Sequence, residues 1–104
     1  MITIYDKLEN VKTLNARLRI AHELNHRHEF NIIYKRIEMW HNLIEELDKR
    51  DKSNMAYVLN RYYYHNEPLK QIAEDLHYNY NYASELKKKA IQYVVDEKLD
   101  TYIK

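Results

Sequence analysis

Tyr80, Asn81, Ser84, Glu85, Lys87 and Lys88 bring amide, hydroxyl, carboxylate and ammonium groups together in one short segment. Those types match what a base pair offers in the major groove. Asparagine can pair twice with adenine, glutamate accepts from the cytosine amino group, and serine serves either base. Lysines meet phosphates, Tyr80 can stack on sugar or bond a phosphate, and Lys70 upstream is a further phosphate candidate. A plain solvated helix face is the lesser alternative for the run Lys87, Lys88 and Lys89.

His22 and His26 are the rival chemistry, since residues four apart share one helical face as in many zinc sites, with His28 and Glu29 close by. No third or fourth ligand has suitable spacing, and the glutamate of a metalloprotease motif is missing. Surface histidines beside a turn are therefore expected, with no metal bound. The sequence has no glycine-rich phosphate loop and no nucleophile in a recognisable setting. That pattern predicts no catalytic residue, no cofactor and no enzyme activity.

The tyrosines of "RYYY" and "YNYNY" could stack bases as single-strand binders do. Tyr62 and Tyr78 fall on expected core positions, however, where a ring packs and its hydroxyl stays wet. Tyr63, Tyr64 and Tyr82 are expected to form an exposed aromatic patch suited to a protein partner.

These side chains need elements to position them, and composition points to helices alone. The 104 residues contain no Gly and one Pro, so the usual hairpin vocabulary is absent, while Leu, Ile, Lys, Glu and Ala favour helix. An all-α protein is predicted. With no Cys there is no disulfide framework or thiolate site, which suits a reducing cytoplasm. No apolar run approaches the roughly 20 residues that span a bilayer, and no basic-then-apolar leader is visible, so a soluble, cytoplasmic protein without membrane contact is expected. The formal charge of +1 means that affinity for nucleic acid would need an oriented patch.

The chain divides near Lys52. In residues 1–52, Phe30, Ile33, Ile37, Trp40, Ile44 and Leu47 alternate spacings of three and four, the signature of a helix burying a narrow stripe. Ile4, Val11, Leu14, Leu18 and Ala21 follow the same rhythm in a different register. The polar "NHRHEFN" between them predicts a helical hairpin, or a stutter in one long coiled-coil helix. The stripe exceeds what two short helices need, so it is assigned to oligomerisation, as a homodimer.

In residues 53–104, Ser53 and Asn54 offer N-cap oxygens for a helix from Met55 to Tyr64 with Met55, Val58, Leu59 and Tyr62 on its inner face. "PLKQIAEDL" starts a short helix at Pro68. Asn79 caps a long one from Tyr80 to about Lys98, with Ala83, Leu86, Ala90, Ile91 and Val94 inward.

"VLNRYY", "LKQIAEDL" and "YNYNYASELKKKAI" in that order resemble the region 4 helix-turn-helix of sigma-70 factors. The likeness is closer to the small phage regulators of the ArpU/RinA type, and it covers about Met55 to Val94. His77 stands where such turns commonly hold glycine; histidine enters positive φ more readily than β-branched residues do. The resemblance implies a sequence-specific, DNA-binding transcriptional regulator of a phage or phage-derived element. Its partner is double-stranded DNA, read by the start of the last helix. Two competing readings stay open: a protein-interaction module acting on another phage transcription regulator or on host RNA polymerase, and a terminase small subunit.

Overall fold

The structure is a computed structural model that describes residues 3–103, and all of its regular elements are helical. Six α-helices follow one another: α1 (Ile4–Val11), α2 (Leu14–Glu23), α3 (Arg27–Lys49), α4 (Ser53–Leu59), α5 (Leu69–Asp75) and α6 (Tyr80–Asp96). A π turn, Asn60–Tyr64, continues α4, and a 3-10 turn, Leu99–Tyr102, follows α6. The all-α expectation is met.

A chain without glycine must still reverse direction, and it does so with polar residues in the left-handed region. Asn25, Asp51, Asn66, His77 and Lys98 all have φ near 60°. Three of them close helices in the same way. After α2, the Asn25 amide donates to the His22 carbonyl and the His26 amide to that of Ala21. Asp51 and Lys52 repeat the pattern after α3, as do His77 and Tyr78 after α5. This paired arrangement satisfies carbonyls that the last turn would otherwise leave bare. The turn at Asn25 also resolves the register break: α2 folds back along α3 as a helical hairpin.

Two boundaries differ from expectation. The rhythm from Ile4 to Ala21 suggests one helix, yet the chain breaks at Lys12 and Thr13. There the Thr13 hydroxyl donates to the Asn10 carbonyl at 3.0 Å, and Asn66 Nδ2 donates to the Lys12 carbonyl at 2.9 Å. A serine-or-threonine hydroxyl that bonds nearby backbone competes with the helix ladder, and a distant amide holds the break open. Ser53 and Asn54, expected as caps, are instead the first residues of α4; Lys52 occupies the cap position without a side-chain bond. Asn79 caps α6 as expected, its Oδ1 accepting from the Tyr82 amide at 2.8 Å. The N-terminal α1 has a reciprocal cap of Thr3 and Asp6.

The main core draws on both sides of Lys52. Leu8, Val11, Leu14 and Ala21 meet Ile33, Ile37, Trp40, Leu43 and Leu47 of α3, and these meet Ala56, Leu59, Tyr63, Ala90, Ile91, Val94, Leu99 and Ile103. Lys52 is thus a turn in the chain and not a division between cores. The stripe assigned to a homodimer is corrected by the same packing. Ile33, Ile37, Trp40 and Leu47 are buried within the single chain, and Phe30 and Ile44 are partly covered against the same core. Apolar segments from α4, the π turn and the C-terminal 3-10 turn supply the covering surface that the local pattern left unassigned, so no free stripe remains for a second copy.

A smaller cluster lies under α4, α5 and α6, made of Val58, Leu69, Ile72, Ala73 and Ala83. Because α4 and the π turn that continues it lie between the two clusters, they bury Ala56, Leu59 and Tyr63 on one side and Val58 on another. Tyr63, not Tyr62, is therefore the deeply buried tyrosine, at 2 % exposure. Tyr62 is only partly covered and touches both clusters.

Candidate nucleic-acid interface

The three helices after Lys52 place α6 with one face inward and its N-terminal half open. Ala83, Ala90, Ile91 and Val94 anchor it. The spacing of these residues, seven between Ala83 and Ala90 and four between Ala90 and Val94, keeps them on one stripe. Asn81, Glu85 and Lys88 follow the opposite stripe and are exposed. α5 reaches α6 through Leu76, His77, Tyr78 and Asn79, a link whose sharp reversal is the left-handed His77.

Two tertiary ties hold this unit. Asn54 Nδ2 donates to the Tyr78 hydroxyl at 3.2 Å, joining the start of α4 to the α5–α6 turn. Arg50 bridges the far ends, its guanidinium donating to Glu46 and to Glu97 at 3.0 Å each. The Tyr93 hydroxyl and the Glu46 carboxylate hold the Arg50 guanidinium above its ordinary pKa.

The candidate side chains separate into two groups. Tyr80 is 54 % exposed; Asn81, Glu85 and Lys88 also face solvent, Ser84 is half-buried on the same side, and Lys70 is exposed on α5. Lys87 departs from this group. Its Nζ lies 4.2 Å from the centre of the Tyr62 ring, which turns the side chain toward the π turn and leaves it half-buried. The cause is its phase on α6, one turn from Ala83 and three residues before Ala90, which is the inward stripe. Its ammonium is held as a cation over an aromatic face. Lys89, by contrast, is exposed.

Local charge is mixed. Lys88 pairs with Glu85 at 3.6 Å. On α5, Asp75 accepts from Gln71 at 3.1 Å and from the Tyr57 hydroxyl at 3.4 Å, so this carboxylate is engaged beside Lys70. Exposed pairs of this kind exchange partners at little cost, which leaves Lys88 available to a phosphate.

Tyr82 was expected in an aromatic patch with Tyr63 and Tyr64, and that patch does not form. Tyr63 is buried, and the Tyr64 hydroxyl donates to Asn15 Oδ1 at 2.7 Å beside His41. Tyr82 stays 50 % exposed, its ring 4.4 Å from that of Tyr78. With Asn79, Asn81, Glu85, Leu86 and Lys89 it lines a shallow groove along the start of α6. Four of these lie outside the expected DNA contacts: Asn79, expected as a cap, Leu86, expected inward, Tyr82, expected in an aromatic patch, and Lys89, which belongs to the lysine run and lies one turn beyond Glu85.

His22 and His26 both line a groove between α2 and α3, and among the described residues no group of three or more His, Cys, Asp or Glu converges on a point that could hold a metal. No described helix is long and apolar enough to cross a membrane. No protein-family model, curated protein or solved structure matches this chain.

Proposed function

We propose that this protein is a sequence-specific, DNA-binding transcriptional regulator in which α4, α5 and α6 work as a helix-turn-helix. The regulator is of the kind found in phages and phage-derived elements, in line with the resemblance to sigma-70 region 4. α6 enters the major groove, where Asn81 and Glu85 read base edges and Tyr80 and Ser84 assist. Lys88, Lys89 and Lys70 meet phosphates on either side. Lys87 supports the helix through Tyr62 and is not counted among the contacts.

The observation that carries this reading is the division of α6 into two faces. Ala83 and Ala90 let it sit close against its neighbours, while the start of the opposite face is open and bears Asn81, Glu85 and Lys88. The small net charge of +1 implies that affinity depends on few phosphate contacts and on base readout more than on bulk attraction.

Selection from a random duplex pool followed by a salt-graded gel shift tests it. One enriched sequence should emerge. Asn81→Ala should weaken binding by roughly tenfold and relax preference at one position, and Lys88→Glu with Lys89→Glu should lower both affinity and the salt slope. A pool with no enriched sequence, or affinity indifferent to these changes, overturns the reading.

A further inference from the structure

The α2–α3 hairpin ends in a surface that the DNA reading does not use. Ile20 on α2 and Leu24 just beyond its end are 54 % and 59 % exposed, and Tyr34 on α3 is 49 % exposed. Between the two helices runs a groove with a cavity volume of about 550 Å³. Ala21 and Phe30 form its apolar floor, and His22, Asn25, Arg27 and Asn31 are among its walls. No carboxylate lines it.

The charge around this end is mixed with a positive excess. Arg17, Arg19, Arg27 and Lys35 lie on the hairpin against Glu23 and Glu29, and among the described residues none of the four cations is in an ion pair. Arg27 lines the groove, and Arg19 lies one turn before the lining residue His22 on α2.

We propose that this groove docks an acidic segment of a second protein, one that carries an apolar anchor residue. The anchor lies over Ala21 and Phe30, and carboxylates beside it pair with Arg27 and Arg19. Charge complementarity selects this occupant. A symmetric contact with a second copy would set a surface with a positive excess against itself, and like charges across an interface are unfavourable. A nucleic-acid strand would find Phe30 already engaged, its ring centroid 5.9 Å from that of His22 and 6.2 Å from that of Tyr34. An acidic segment with an anchor uses both the cations and the apolar floor, the pattern of a short segment laid into a groove.

The inference does not rest on DNA binding by α6. The probe is a synthetic peptide of Asp and Glu around a central Phe, titrated into the full chain labelled with 15N. Amide shifts should concentrate on Ala21, His22, Arg27 and Asn31, and spare Asn81 and Glu85. Replacing the peptide's Phe by Ser, or its acids by Lys, should weaken binding about tenfold or more, as should Arg27→Glu in the protein. Arg27→Glu should leave the melting temperature and duplex DNA binding unchanged, which separates a lost contact from a lost fold. The proposal is overturned if the Lys peptide binds equally, or if shifts fall outside the groove. It is equally overturned if oligothymidylate or phosphatidylserine vesicles occupy the groove more tightly than the acidic peptide, or if the same amides shift on self-association alone.

Discussion

The indole Nε1 of Trp40 donates a hydrogen bond of 2.9 Å to Oδ1 of Asn60. It ties the middle of α3 to the first residue of the π turn, and the indole is otherwise surrounded by core, at 1 % exposure. Asn60→Ala removes the acceptor and leaves a buried N–H without a partner, which costs about 1–3 kcal/mol. Urea unfolding followed by helical circular dichroism should show that loss. Trp40→Phe in the Asn60→Ala background should then cost less than Trp40→Phe alone, because the orphaned donor is gone.

Left-handed positions filled without glycine are a reserve of stability. His77 and Lys98 have φ of 60° and 58°. Glycine adopts this region without the Cβ clash of roughly 1–2 kcal/mol, but gains conformational freedom in the unfolded chain. His77→Gly and Lys98→Gly should each stabilise by about 0.5–1 kcal/mol net, read as a higher melting temperature. Asn25→Gly should gain less, since asparagine tolerates the region better.

Tyr63 makes the fold sensitive to alkali. Burial, with added effects from Tyr62, Glu9 and Tyr5, pushes its phenol above the ordinary tyrosine range. The folded chain keeps this proton where the unfolded chain releases it. The stability from the neutral phenol is complete below about pH 10 and is lost as pH rises from there toward the folded-state value. Tyr63→Phe should flatten the fall in stability between about pH 10 and 12.

Ile37 distinguishes an internal stripe from an assembly surface. It is 7 % exposed within one chain. Ile37→Asp should therefore unfold the protein, with helical signal lost at every concentration, since an unpaired buried charge costs several kcal/mol. Ile37→Ala should cost about 2–5 kcal/mol and leave the sedimentation coefficient of the folded fraction unchanged. A well-folded Ile37→Asp chain that only changes its oligomeric state would contradict this packing.

Periodicity carried a large part of the architecture. The stripe through Ile33, Ile37 and Trp40, the capping Asn79, the start of a helix at Pro68, which the structure makes the cap of a helix from Leu69, and the reversal within 25–31 are all local signals, because each depends on residues within one or two turns of each other. For the same reason Asn81, Glu85 and Lys88 could be placed on an outer face from spacing alone. What lay beyond the sequence were the features whose partners are distant. Asn66, by taking the Lys12 carbonyl, helps part α1 from α2. Tyr62 draws Lys87 off the outer surface from another helix. α4 and the π turn, pressed between two clusters, bury Tyr63 where a single inner face had pointed to Tyr62. The stripe on α3 was read correctly as apolar but assigned to the wrong partner. A helical repeat reports that a face is buried; only the tertiary arrangement decides what buries it, because the covering residues, here Ala56, Leu59, Leu99 and Ile103, carry no sequence mark of where they will dock.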